Sequence, residues 1–440
     1  MTSTQLPASG STASKPTAPS PTAGNGSAIP TGLPALDIDS ATHLQMVQAY
    51  LAEQIAHAPQ GFMPFEQWMG LALYAPGLGY YASGNTKFGS NLPIGDFTTA
   101  PELTPLFGQV LARQIAQILN SSNSLHVLEF GAGSGALAAA IIPALRQLGI
   151  EPVYQILEVS ADLRSRQQQR LSEFGSTVTW LDALPQAFSG CVLANEVLDA
   201  MPATLFRWND DGNLQELGVG LHELDGRHQG PGSNLPIDHD DNSGPAAGQN
   251  SPFQFAQRPA PQGLQEAIAQ RMPPLPGYQS EINRQAEAWI REMGSWLEKG
   301  AALLIDYGFP QREYYHPQRA AGTLMCHFRH HAHSQPLIYA GLQDITTHVD
   351  FTAMADAALD AGLDVLGYTS QARFLMNAGL TELLTQLDPT DAAAYAQTVG
   401  PVQKLISEAE MGELFKVLAI GRGVDVPLLG FVTGDRRNRL

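Results

Sequence analysis

Two cysteines, Cys191 and Cys326, are all that 440 residues provide. That scarcity excludes a disulfide framework and a multi-cysteine metal site, and it fits a reducing compartment. Charge is also sparse, at 15% of residues, against roughly 25% in an ordinary globular chain. Basic residues are the scarcer kind: 24 Lys and Arg stand against 42 Asp and Glu, a net charge of −18. A chain so poor in cations lacks the face that collects phosphates, so neither nucleic acid nor an anionic membrane surface is an expected partner. No apolar run approaches the ~20 residues that cross a bilayer, so membrane insertion is not expected either. Residues 1–40 lack aliphatic bulk and hold a single basic residue, Lys15. They have neither the apolar run of a secretory signal nor the arginines of a mitochondrial presequence, and they read as a solvated low-complexity tail.

What is present begins with a hydrophobic content of 44%, enough for a large core. Leu44, Val47, Leu51 and Ile55 recur at helical spacing. Further helical patterns at Phe65–Tyr74 and from about Pro105 to Leu119 make 41–120 a helical N-terminal region with no strand alternation. From Leu125 the pattern changes to short apolar runs, Leu125–Phe130, Val153–Val159, Val178–Leu181, Val192–Ala194 and Ala301–Ile305. Helical stretches Ala136–Leu148 and Ala161–Phe174 lie between the first of them. Strands buried on both faces with helical crossovers predict an α/β fold with a doubly wound, Rossmann-like sheet over 121–435. Within it, 225–261 is rich in Gly, Pro, Asn and Asp and reads as a mobile surface insertion. A helix is expected over Glu281–Lys299, a helical substrate-side region over 309–411, and a final strand pair at Leu414–Ile420 and Leu428–Val432.

The segment Glu129-Phe130-Gly131-Ala132-Gly133-Ser134-Gly135 joins a predicted strand to a predicted helix. Gly131, Gly133 and Gly135 allow a tight turn and close approach of a ligand. Glu158, at the end of the next strand, can accept hydrogen bonds from both hydroxyls of a ribose. Together they specify a nucleoside cofactor. Gly131-x-Gly133-x-x-Ala136 also satisfies the permissive dinucleotide fingerprint, which keeps an NAD(P)- or FAD-dependent oxidoreductase as the alternative. Glu129 favours S-adenosylmethionine, because an acid there can face a cationic methionyl amine and would repel a pyrophosphate. The fourth strand ends Asn195-Glu196-Val197-Leu198-Asp199. If the chain turns helically there, Glu196 and Asp199 share a face and suit a guanidinium; the bland reading makes them helix caps.

Several motifs then give the chain a family likeness. They are Phe62-Met63 to Tyr74, Gly79-Tyr80-Tyr81, Phe88-Gly89, Gly95-Asp96-Phe97-x-Thr99-Ala100-Pro101-Glu102, Phe107-Gly108, the glycine turn, and Ala194–Ala200. Asp306-Tyr307-Gly308, Gly322-Thr323-Leu324 and Asp344-Ile345-Thr346-x-His348-Val349-Asp350-Phe351 follow in order. Over about 45–435 the chain resembles the MidA-like family, bacterial and mitochondrial relatives of the complex I assembly methyltransferase. The resemblance implies a class I methyltransferase core with an added helical region and S-adenosylmethionine as cofactor. It also implies a protein substrate, methylated at arginine: a core subunit of respiratory complex I or its bacterial equivalent. With no presequence in view, a bacterial cytoplasmic location is expected. The chain departs from the family at Gln109, where an acid commonly follows Phe-Gly, and in the longer insertion at 225–261.

In this reading Glu129 and the three glycines hold the methionyl part and Glu158 the ribose. Asp96 and Thr98 lie in a loop that can fold over the cofactor, although Asp96 equally suits an Asx turn. Asn195, Glu196 and Asp199 form the acceptor side. His348 joins them through Thr347-His348-Val349, a faint echo of the Thr-His-Trp loop of better-known arginine methyltransferases; packing considerations favour a structural His348 and Asp350 as a helix cap. The cluster His327, His330, His331, His333 lacks metal-ligand spacing, and no metal is expected. A small-molecule methyltransferase and a non-catalytic cofactor-binding assembly factor stay open as alternatives.

Overall fold

The computed structural model of the protein describes residues 30, 32–83, 99–222, 251–387, 390, 392–425 and 427–440. Helix α1 (Ile38–His57) starts where Asp37 accepts the Ser40 amide at 2.8 Å, slightly ahead of the apolar periodicity. The two-residue strand β1 (Met63–Pro64) follows, within a region whose sequence shows no strand alternation, and leads into α2 (Phe65–Tyr74). The short α3 (Ala100–Leu103) precedes α4 (Pro105–Ser122), which begins with a Thr104 cap and a proline in its first turn and ends at Asn123 in the left-handed region.

Then the alternation read from sequence appears: β2 (His126–Phe130), α5 (Ala136–Gln147), β3 (Val153–Leu157), α6 (Ala161–Arg170), β4 (Val178–Leu181) and β5 (Phe188–Asn195). Next come β6 (Thr204–Trp208), β7 (Leu214–Leu221), β8 (Phe253–Pro259), α7 (Gln262–Ala269), β9 (Gln279–Ile282), α8 (Arg284–Trp296) and β10 (Leu297–Phe309). The remaining strands are β11 (Met325–Phe328), β12 (His331–His333), β13 (Asp344–Thr346), β14 (Val349–Asp350), β15 (Asp364–Ser370) and β16 (Phe415–Arg422).

The main sheet runs β15-β16-β10-β5-β2-β3-β4, parallel except for β16. Its order reverses between β2 and β5, which puts the ligand crevice of such sheets at the carboxyl ends of those two strands. One face packs on α4 and α5 through Val127, Cys191, Leu193 and Leu303, and the other on α8 and the helix Phe351–Asp360 through Leu128, Val192, Leu304 and Met354. Away from the crevice, glycines replace side chains across three strands. A Cβ on Gly190 would lie 2.1 Å from the His126 carbonyl oxygen, one on Gly300 1.8 Å from that of Gly190, and one on Gly421 2.2 Å from that of Gly300.

A second, antiparallel sheet of β1, β7, β6 and β9, with β8 on β7, leaves the main sheet after β5 and returns at β10. It shares a core with α1 and α2. Asn283 closes its neck, donating to the Leu198 and Met201 carbonyls at 3.2 and 3.0 Å while capping α8.

The structure corrects several expectations. Residues 225–250 of the proposed insertion lie outside the described residues, but Phe253–Pro259 is a strand paired with β7, in which Phe253 is buried and Phe255, Gln257 and Pro259 are exposed. The helix expected over Glu281–Lys299 is shorter, because Ser280–Ile282 pair with β6 and Leu297 already belongs to β10. The 309–411 region is not only helical: β11–β15 are too short, or too interrupted by polar residues, to leave a period-two pattern. Leu428–Val432 forms a 3-10 turn, and the partner of β16 on that side is β15.

Candidate active site

Gly131, Gly133 and Gly135 take φ of +59°, +54° and +82°, a region that L side chains enter at a cost. Gly135 begins α5, and the Gly131 amide donates to the Leu157 carbonyl at 3.1 Å, so the turn sits against the end of β3. Glu129 is buried on β2 and accepts the Tyr154 hydroxyl at 2.7 Å. Burial pushes its carboxyl up to about 7, opposed by that hydrogen bond and assisted by the charge of Glu158. Glu158 stands one residue past β3. Its Oε1 accepts the Ser160 amide and its Oε2 the Gln167 side-chain amide, each at 2.9 Å. Glu102, from the Thr-Ala-Pro-Glu motif, reaches the turn as well, accepting from the Ser134 hydroxyl and from Arg170. Asp96 and Thr98 lie outside the described residues.

On the other side of the crevice β5 ends at Asn195, and Glu196 turns sharply with φ +53°. No helix follows, so Glu196 and Asp199 are neither caps nor one face of a helix. They are brought together instead by this left-handed residue, a strained arrangement typical of functional sites. The register of β10 against β5 sets Ile305 beside Asn195, so the next residue, Asp306, lies over the same loop. Its Oδ2 accepts the amides of Leu198 and Asp199 at 3.0 and 3.2 Å. Tyr307 donates its hydroxyl to Asp199 Oδ2 at 2.5 Å. Asn195 donates to Glu196 Oε1 at 3.0 Å, and Asn195 Oδ1 and Asp199 Oδ1 are buried without partners among the described residues.

This is a nest of acids with no basic side chain salt-bridged to Glu196, Asp199 or Asp306 among the described residues. Burial, then the charge of Asp199, raises Glu196 to about 8. Asp199 and Asp306 are both raised, chiefly by burial; for Asp306 the two neighbouring acids add to it. Tyr81 donates to Asp344 at 2.9 Å beside this nest, and its ring stacks on Tyr74 with centroids 5.5 Å apart. The Tyr74 hydroxyl, bonded to the Ala200 carbonyl at 2.9 Å, feels the charges of Asp344, Asp199 and Glu158, so it stands between the two halves of the site.

His348 takes no hydrogen bond from these acids. Its ring stacks on Phe309 (5.4 Å, 4° between planes) and meets the Tyr307 ring edge-on at 5.0 Å. Burial, with Arg319 and Lys416 nearby, lowers it to about 4, so it is neutral at pH 7. Asp350 caps the following helix through the Thr352 and Ala353 amides. Among the described residues no group of His, Cys, Asp and Glu is set to hold a metal ion, and no helix is long and apolar enough to cross a membrane. Sequence reasoning assigned no role to Asp306, Tyr307, Asp344, Tyr74, Tyr81 or Gln167. Asp306 was within reach, as an acid at the carboxyl end of a predicted buried strand.

The residues suit an adenosyl sulfonium: a strand-end acid beyond the glycine turn, and carboxylates (Glu102, Glu129) where a pyrophosphate would be repelled. Sheet order, glycine turn and strand-end acid define a class I S-adenosylmethionine-dependent methyltransferase. Residues 110–369 match the family described as "Putative S-adenosyl-L-methionine-dependent methyltransferase", and the chain belongs to it, among the MidA-like methyltransferases. It is similar to a Burkholderia thailandensis protein crystallised with S-adenosyl-homocysteine, at 46% identity and TM-score 0.83 over 93% of this chain and 100% of that one. Among curated proteins it is similar to the protein arginine methyltransferase NDUFAF7 homolog, mitochondrial, of Drosophila melanogaster, 25% identical over 84% of this chain and 85% of that protein. The Mus musculus protein arginine methyltransferase NDUFAF7, mitochondrial, is 27% identical over 80% of each. The cofactor is S-adenosylmethionine, and the dinucleotide alternative is set aside.

Proposed function

We propose that this methyltransferase modifies an arginine side chain of a protein, a respiratory complex I subunit or its bacterial equivalent, in the cytoplasm. The observation that carries the proposal is the nest of half-buried Glu196 with buried Asp199 and Asp306 at the carboxyl end of β5, with no salt-bridged cation among the described residues. A planar guanidinium satisfies such a pair by charge-assisted, bidentate hydrogen bonds. The names of the mitochondrial relatives and the two free, buried cysteines support the substrate and the reducing compartment respectively.

Glu129 and the glycine turn would hold the methionyl end and Glu158 the ribose. When bound, S-adenosylmethionine supplies a methyl group on a cationic sulfur that a nitrogen can displace. Glu196, whose carboxyl is raised to about 8, gives up its proton as a guanidinium arrives. It and Asp199 then orient one nitrogen, and orientation supplies much of the rate. A carboxylate takes the proton that the methylated nitrogen sheds. Asn195 holds Glu196, Tyr307 holds Asp199, and His348 walls Tyr307.

The test supplies the purified protein and labelled S-adenosylmethionine to a lysate of cells that lack it, and follows the label by mass spectrometry. Methylarginine in a protein is expected. Label in the small-molecule fraction alone, or no transfer at all, would refute the proposal.

A further inference from the structure

We infer that Gln167 is a positioning residue of the donor site, a single amide that locks the Glu158 carboxylate to the glycine turn in the orientation that receives a ribose. The inference rests on the reading of Glu158 as the ribose acid.

Gln167 lies on α6 with no exposure to solvent. Its Nε2 donates twice, to the Gly133 carbonyl and to Glu158 Oε2, each at 2.9 Å. Its Oε1 accepts the indole N–H of Trp180, on β4, at 3.0 Å. An indole nitrogen only donates, so the amide oxygen must face Trp180 and both N–H groups must face the turn and the acid. The orientation is therefore fixed by chemistry. Its stem also packs on the turn: a Cβ at Gly135 would lie 3.6 Å from Gln167 Cγ. One side chain thus touches the second glycine, the third glycine, the strand-end acid and the next strand.

Glu158 is held from both sides, by Gln167 on Oε2 and by the Ser160 amide on Oε1. The two carboxylate oxygens offer about four lone-pair sites, so acceptor capacity remains beside the Ser160, Gln167 and Val159 contacts. Two acceptors in one fixed plane match the two donors of a vicinal diol. Both contacts also favour the ionised carboxylate against the burial that raises it. Without Gln167 the carboxylate would rotate and titrate more readily.

The experiment measures calorimetric binding of S-adenosylhomocysteine and its 2′-deoxy analogue to the full chain, from pH 5.5 to 8. In the wild type the missing hydroxyl weakens binding about tenfold. Gln167→Met should weaken S-adenosylhomocysteine about tenfold, leave the analogue nearly unchanged, and make the affinity rise with pH. In methyl transfer it should raise KM for the donor more than it lowers kcat. Gln167→Glu, nearly isosteric, covers the case in which Gln167→Met does not fold. It can donate to Glu158 only when protonated, so it should bind more tightly at pH 5.5 than at 8. Equal weakening toward both ligands with a wild-type pH profile would mean that Gln167 only fills space, and the inference falls. Glu158→Ala separates the two claims: if that variant still discriminates the ligands like the wild type, the ribose reading itself is wrong.

Discussion

Replacing Glu196 by glutamine should change how stability depends on pH. Its carboxyl rises from an ordinary 4.5 to about 8. At about 1.4 kcal/mol for each pH unit, ionising it in the folded state costs up to ~5 kcal/mol. The side chain is only half-buried, and relaxation with water entry should leave about 2–3 kcal/mol of that. The native state keeps a proton that the unfolded chain loses above 4.5, so stability falls as pH rises through the window from 4.5 to 8, and the loss is complete above it. Glutamine cannot ionise and lacks this slope, while Asp199 and Asp306, shifted in the same direction, retain theirs. In a chain of this size 1 kcal/mol moves Tm by roughly 1–2 °C. Thermal unfolding followed by circular dichroism without ligand should show the variant gaining about 1–4 °C on the wild type between pH 5.5 and 9. Melting curves that run parallel across that range would refute the idea that Glu196 belongs to a nest of unneutralised acids.

Other expectations follow from the same geometry. Glu158→Ala should weaken S-adenosylhomocysteine about a hundredfold by calorimetry, as two charge-assisted hydrogen bonds are lost, whereas Glu196→Gln should stay within about threefold and abolish transfer; equal losses of binding would remove Glu196 from the acceptor side. Tyr307→Phe deletes the hydroxyl that lowers the Asp199 carboxyl, so the acidic limb of kcat/KM should move to higher pH with binding of S-adenosylhomocysteine unchanged. Gly300→Ala drives a methyl to 1.8 Å from a backbone oxygen and should cost more than about 4 kcal/mol, read as lost soluble yield or a Tm lowered by several degrees.

The parallel half of the fold was legible because β2, β5 and β10 are largely buried on both faces and helices of ordinary length separate the first strands. The antiparallel sheet was not. Its strand β8 borders a stretch rich in Gly, Pro and Asp, only Phe253 of its aromatic residues is buried, and its pairing with β7 is a long-range fact. The same limit applies at the site. Glu129, Glu158 and the glycines announce themselves by spacing along one βαβ unit. Asp306 meets Asp199 only through the β5–β10 register, and that register is not written locally. Gln167 is one of three consecutive glutamines, Gln167, Gln168 and Gln169, and only the first is buried. A helical turn at Glu196 is only one option the sequence allows, since acids favour helix starts, whereas a left-handed residue leaves no mark in composition.

The β6–β9 excursion is closed at Asn283, which ties its two ends together through the Leu198 and Met201 carbonyls. Glu129, the glycine turn and Glu158 precede the excursion in the chain, whereas Asp306 and Tyr307 follow it on β10. The two halves of the crevice, far apart in the chain, therefore meet through the pairing of β10 with β5, and a change of length within the excursion need not disturb that pairing.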